Sequence, residues 1–161
     1  MNKGGHPDNA KVKITKQSVL KTYNKESHKA YANELFFYLL SKKHKLNFIP
    51  DLISYDLLKR NIKTKNVGIA LDQYCSDNEI DIDTFIPDIK KIYNKLLSYG
   101  FFHNDLRYKN IVINPSNKKL YLIDFEFSGP KYTDLDDQNI VKKITKKNDS
   151  GSKSKKKSKK K

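Results

Sequence analysis

His103-Asn104-Asp105-Leu106-Arg107-Tyr108-Lys109-Asn110, followed by Leu122-Ile123-Asp124-Phe125-Glu126, is the stretch on which the reading of this chain turns. Between the two runs, residues 111–113 and 120–123 are apolar and flank Asn114-Pro115-Ser116-Asn117, four residues that favour turns, so the segment predicts a hairpin. A hairpin returns both of its ends to one edge, and this one gathers Asp105, Asn110 and Asp124 there. Asp124 and the Asn110 carboxamide supply the hard oxygen donors that suit Mg²⁺, and Asp105 is of a kind to accept a hydroxyl proton. The residues therefore point to a metal–nucleotide site at a loop and hairpin mouth.

Working outward, residues 85–99 predict a helix. Pro87 fits its first turn, Ile89, Ile92, Tyr93, Leu96 and Leu97 form an apolar stripe, and Gly100 suits its end. Residues 11–23 alternate as a hairpin, with Val12 and Ile14 on one strand, Lys16-Gln17 at the turn, and Val19 and Lys21 on the next. In residues 26–43 the positions Ala32, Leu35, Phe36, Leu39 and Leu40 follow helical spacing, with Glu34 in the middle. Residues 52–55 and 67–71 read as two antiparallel strands joined by an exposed, lysine-rich loop.

Taken in this order, the motifs resemble the protein-kinase-like superfamily, whose catalytic loop reads H-R-D-x-x-x-x-N and whose metal motif reads D-F-G. Here they stand as HNDLRYKN and DFE. The resemblance implies that Asp105 is the catalytic base, that Asn110 and Asp124 hold Mg²⁺ or Mn²⁺, and that His103 is a structural residue of the loop. It further implies that Lys21, in Val19-Leu20-Lys21, holds the α/β phosphates of ATP and pairs with Glu34. Residues 71–75, with Gln73, Tyr74 and Cys75, would then be the hinge that meets the adenine. Arg107 and Lys109 offer the cation that steadies a transferring phosphoryl group. Asp134 or Asp136 is a candidate for the aspartate that follows the activation segment in this superfamily and braces the catalytic loop.

Within the superfamily, H-N-D-L, N-I and I-D-F-E-F-S are similar to choline and ethanolamine kinases and their aminoglycoside phosphotransferase relatives. The small size and basic tail resemble the small KEOPS-associated kinase. Asn104 replaces the arginine that receives an activation-loop phosphate, and Glu126 replaces the glycine of D-F-G. No G-x-G-x-x-G is present, which leaves Gly4-Gly5 as the source of any phosphate-covering loop. The thirty-five residues after Glu126 lack an A-P-E segment and leave room for one helix, over about 134–144. The expected fold is α+β: a minimal kinase-like fold in which a small antiparallel sheet and a helix form the N-lobe, beside a truncated, mostly helical C-lobe.

Composition sets the remaining bounds. The 161 residues suit one domain, taken as 1–147, followed by a disordered lysine-rich tail over 148–161. The net charge is +15, but the last twenty residues carry eleven bases against the single acid Asp149, so the body is only mildly basic. One cysteine, Cys75, excludes an internal disulfide framework and reads as a small buried hydrophobe. His6, His28 and His44 lack metal-ligand spacing. No signal peptide or membrane-length apolar run is present, so the expected location is intracellular, cytoplasmic or nuclear.

The sequence thus predicts a phosphotransferase moving the γ-phosphate of ATP to a hydroxyl acceptor, with a slight lean toward protein Ser/Thr over a small alcohol of the choline or aminoglycoside type. The competing readings are an inactive kinase-like scaffold and a binder of nucleic acid or an acidic partner through the tail. A partner protein completing the trimmed lobe fits either reading.

Overall fold

The computed structural model describes residues 9–130. The Gly4-Gly5 segment, the helix expected over 134–144, Asp134, Asp136 and the lysine tail lie outside the described residues.

Two small antiparallel sheets organise this region. The first has the order β1-β2-β4-β3, built from β1 (Ala10–Ile14), β2 (Ser18–Tyr23), β3 (Leu52–Asp56) and β4 (Asn61–Lys65). The predicted first hairpin is present, its turn closed by Thr15, whose hydroxyl accepts from the Ser18 amide at 3.0 Å. The expected exposed loop between 55 and 67 is corrected. Residues 61–65 form β4, a central strand that pairs with both β2 and β3. Its alternation buries Ile62 and Thr64 and turns its lysines outward, so a strand with only one large apolar residue reads as a polar loop in sequence.

The second sheet has the order β5-β6-β7, from β5 (Ile69–Ala70), β6 (Ile111–Ile113) and β7 (Leu120–Leu122). The predicted hairpin over 111–123 is therefore present. Asn114 Oδ1 accepts from the Ser116 amide and Asn117 Oδ1 from the Lys119 amide, both at 3.0 Å, which fixes its turn. The expected pairing of 67–71 with 52–55 is corrected as well: β5 pairs with β6 in this other sheet. Gly68 permits that approach. It has φ +150°, and a Cβ there would lie 2.0 Å from the carbonyl oxygen of Ile113.

Helix α1 (His28–His44) carries lysines and a histidine in its last turn, complementing the helix dipole, and ends where Lys45 adopts the left-handed conformation. Its buried face is Tyr31, Glu34, Leu35, Phe37 and Tyr38, while Phe36 and Leu39, assigned to the stripe from spacing alone, are exposed. The helix presents polar tips inward because that side borders the site. Helix α3 (Ile86–Ser98) has Pro87 in its first turn, buries Ile89, Tyr93 and Leu96, and leads into Gly100 at φ +79°. A short helix not expected from the sequence, α2 (Leu71–Asp77), follows β5 directly.

One continuous core joins the parts. Phe37 of α1 stacks on Phe125 with ring centres 5.0 Å apart, and Leu71, Ile89, Leu96, Leu106, Ile111, Ile113 and Leu122 belong to the same cluster with almost no exposure. The Leu122 amide donates to the Phe48 carbonyl at 2.8 Å, tying β7 to the segment between α1 and β3. Among the described residues no helix is long and apolar enough to cross a membrane. The architecture of the described residues is α+β, a half of the first sheet and α1 followed by a half of the second sheet, α2 and α3.

Candidate active site

Between the two sheets lies a cavity of about 540 Å³. Its apolar walls are Val12, Ile14 and Val19 from the first hairpin, Ile62 from β4, Val67, Ile69 and Ala70 around β5, and Val112 and Ile123 from the second hairpin. Lys21, Glu34, Lys109 and Asp124 supply charge to the lining. The segment 66–70 is fixed on two sides, since the Asn66 side chain donates to the Thr15 carbonyl at 2.8 Å and its amide to the Gln17 carbonyl at 3.0 Å.

Lys21 is the centre of the charged end. Its Nζ lies 2.8 Å from Glu34 Oε2, 2.9 Å from Asp124 Oδ1 and 3.7 Å from Glu126 Oε1. The Lys21–Glu34 pair expected from sequence is therefore formed, and Asp124 joins it across 103 residues of chain. Tyr23, two residues along the same face of β2, donates its hydroxyl to Glu34 Oε2. Glu126 is held in turn by Asn9, whose Nδ2 donates to its Oε2 at 3.0 Å, and Ser27 donates to Asn9 Oδ1 at 3.2 Å.

Burial governs the protonation behaviour of this cluster. Desolvation pushes the fully buried Glu34 carboxyl up, an effect that Lys21 only partly offsets. The same burial works against the charge on Lys21, but Glu34 and Asp124 outweigh it, and the ammonium group binds its proton more tightly than an ordinary lysine. Tyr23 and Tyr38 are pushed up by burial first and by the Glu34 charge second, so both stay neutral donors beside the carboxylate.

The loop over residues 103–110 is built from its own hydrogen bonds. Asn110 Nδ2 donates to both the main-chain oxygen and Oδ2 of Asp105, each at 2.9 Å, and Arg107 Nε pairs with Asp105 Oδ1. His103 is fully buried, with Nε2 2.8 Å from the Ile123 carbonyl, which fixes the loop to the residue preceding Asp124. The Ile123 amide donates to the Asn110 carbonyl at 3.0 Å, so loop and hairpin mouth meet at the predicted edge. Asp124 itself sits at φ +67°, a left-handed conformation that Asp tolerates better than most side chains.

Of the residues singled out from the sequence, Lys21, Glu34, Gln73, Lys109 and Asp124 line the cavity. Tyr74 and Cys75 do not line it. They sit in α2 and point into the core, and the stretch that borders the cavity is residues 66–70, just before the expected hinge. The spacing of Leu71, Tyr74 and Cys75, three and four residues apart, is the signal that marks this turn of helix. Sequence reasoning also passed over Asn9, Tyr23 and Asn33. Tyr23 was findable, because it shares a strand face with Lys21.

Glu34, Asp124 and Glu126 each offer a carboxylate oxygen within 4.8 Å of the other two; Glu34 Oε2 already accepts from Lys21 and Tyr23, so Asp124 and Glu126 are the members whose hard oxygens suit a cation such as Mg²⁺ or Mn²⁺. Asn110, expected beside Asp124, has its amide nitrogen turned to Asp105.

No match was found among curated protein sequences. Among solved structures, a medium-resolution structure of the bifunctional kinase-methyltransferase WbdD is similar, with a TM-score of 0.61 and 15% identity over 77% of this chain and 31% of that one. A crystal structure of monomeric WbdD gives a TM-score of 0.64 and 14% identity over 88% of this chain and 37% of that one. At such identities the likeness is one of fold, and this chain spans about a third of the length of those chains. The family model described as choline/ethanolamine kinase matches residues 11–147, most of the sequence, and the chain belongs to the choline/ethanolamine kinase family.

Proposed function

We propose that this chain is an ATP-dependent phosphotransferase that moves the γ-phosphoryl group to a hydroxyl acceptor, and that the acceptor is a small amino-alcohol. The observation that carries the reading is the convergence of Lys21, Glu34 and Asp124 at one end of an apolar-walled cavity. Family membership supports a small acceptor, whereas nothing in the geometry favours the protein Ser/Thr acceptor toward which the sequence leaned.

In this reading the apolar walls take the adenine, and Lys21, fully charged at neutral pH, takes the α/β phosphates. Asp105 accepts the acceptor's hydroxyl proton. Its carboxylate is aimed by Asn110 and Arg107, so that it faces the acceptor in one orientation. The acceptor oxygen forms a bond to the γ-phosphorus, the bond from that phosphorus to the β–γ bridging oxygen breaks, and ADP leaves with the electron pair. Lys109, on the cavity wall, stands where a cation can offset charge on the transferring group. Mg²⁺ or Mn²⁺ would be held by Asp124 with Asn110 and Glu126, and would neutralise phosphate charge when bound.

Transfer of label from γ-labelled ATP tests this, with the wild type compared with Asp105→Ala and Asp124→Asn on choline, ethanolamine and a protein Ser/Thr panel. The expected result is labelled amino-alcohol, reduced about 10²–10⁴-fold in each variant. Label on protein alone would reassign the acceptor. No transfer and no metal-dependent ATP binding by the wild type would refute the enzymatic reading and leave a scaffold.

A further inference from the structure

Asn33 precedes Glu34 on α1 and turns its side chain toward the loop that carries the metal-site carboxylates. Its Nδ2 lies 3.2 Å from the Phe125 carbonyl oxygen, 2.9 Å from that of Glu126 and 2.6 Å from that of Ser128. An amide nitrogen carries two hydrogens, so it serves three acceptors only with one hydrogen shared. Those carbonyls converge because residues 125–128 form a tight turn, closed by the Ser128 amide donating to the Phe125 carbonyl at 3.1 Å. A turn whose carbonyls point toward a helix needs a donor there, and Asn33 supplies it.

We infer that Asn33 is a positioning residue for the metal site: it sets the loop backbone so that the carboxylates of Asp124 and Glu126 face Lys21. This inference rests on the phosphotransferase reading given above. Asp124 occupies a left-handed conformation immediately before the gripped turn, and Glu126 lies within it. Phe125, stacked on Phe37 and edge-on to Tyr38, fixes where the loop sits, but an aromatic clamp does not fix the direction of the peptide planes on either side of it. The Asn33 carboxamide does. Because Glu34 is the next residue on the same helix, one rigid element carries both the lysine's partner and a donor to the metal-holding loop, whose Phe127 carbonyl also accepts from Asn104 at 2.9 Å.

The test uses the full chain as wild type, Asn33→Leu, Asn33→Asp and Asn33→Gln. Leu keeps the approximate size and removes the donor, Asp sets a carboxylate against three carbonyl oxygens, and Gln keeps the donor on a longer arm. Three quantities are measured: uptake of Mn²⁺ with a non-hydrolysable ATP analogue by water proton relaxation, affinity for adenosine without metal, and kcat and KM for ATP at several Mg²⁺ concentrations. The expected outcome is a rise of about 10–100-fold in half-saturating Mn²⁺ for Leu and Asp, with partial recovery in Gln. Adenosine affinity stays within about 2-fold of the wild type, because the apolar walls are unaffected, and kcat recovers as Mg²⁺ is raised.

Equal weakening of adenosine and Mn²⁺ binding would mean that Asn33 merely stabilises the fold, and would overturn the inference. Wild-type Mn²⁺ uptake in Asn33→Leu would overturn it while leaving the phosphotransferase reading intact. Failure of the wild type itself to take up Mn²⁺ with the nucleotide would overturn both, and is told apart from the other results by the wild-type control alone.

Discussion

Gly68→Ala places a methyl group where the backbone of the neighbouring strand already is. The added Cβ would lie 2.0 Å from Ile113 O, 2.7 Å from Ile113 C and 3.1 Å from Asn114 Cα, all main-chain atoms that cannot rotate away. Carbon contacts are comfortable at about 3.5–4.0 Å, so β5 must separate from β6 by more than ~1 Å, far enough to break its two-residue ladder. Losing those hydrogen bonds at about 0.5–1.5 kcal/mol each, and holding a non-glycine residue at φ +150°, gives a cost of about 2–4 kcal/mol. For a chain of this size that lowers the thermal midpoint by about 5–15 °C. Gly100→Ala is the control. It too has positive φ, at +79°, but nothing lies within 4 Å of its Cβ, so only the conformational term of about 1 kcal/mol applies. Urea unfolding of the two variants measures the difference, and adenosine affinity should fall only in Gly68→Ala, because Gly68, Ile69 and Ala70 line the cavity. Equal destabilisation by the two substitutions would refute the steric argument.

Lys21→Met leaves Glu34 buried without its cation and should destabilise the fold at pH 7 by about 3–5 kcal/mol, with Lys21→Met/Glu34→Gln recovering part of the loss in denaturant titrations. The folded chain holds the Lys21 proton more tightly than the unfolded chain, so its contribution is complete below the ordinary lysine value of 10.5 and disappears as pH rises through the raised folded value. The alkaline loss of stability should accordingly be shallower in Lys21→Met than in wild type. Phe125→Ala removes a fully buried ring packed on Phe37, Tyr38 and His103, at a cost of about 3–5 kcal/mol by calorimetry. Deleting residues 148–161 should remove salt-sensitive retention on a polyanion column and leave ATP binding unchanged; retention that survives the deletion would place the contact elsewhere.

What the sequence disclosed and what it concealed follow from where each signal is local. HNDLRYKN and DFE are contiguous, and the hairpin between them carries its own turn residues, so the meeting of Asp105, Asn110 and the Asp124 edge was legible. The Lys21–Glu34 pair was reached through resemblance, since a strand lysine and a helix glutamate are unremarkable by spacing alone. Strand β4 was hidden because Asn61-Ile-Lys-Thr-Lys65 has one large apolar residue, and its central place in the sheet depends on partners far away in sequence. Asn33, through three main-chain carbonyls of residues 125–128, and Asn9, through the Glu126 carboxylate, act by long-range hydrogen bonds for which no periodicity exists.

The strand over the cavity, β1, has little to lose by leaving. Four of the five residues of β1 are exposed and it lies at the sheet edge; among the described residues, Asn9 just before it bonds Glu126 across the site and is also held by Ser27 and the Asn24 amide. Peeling such a strand costs little buried area, so it opens at a free energy well below that of global unfolding. Opening there would hinge on the 15–17 turn and break the Asn9–Glu126 bond, letting a ligand pass while the core behind stays shut. Amide exchange at residues 10–14 running ahead of that at 61–65, and slowing when nucleotide binds, is the signature of such an opening.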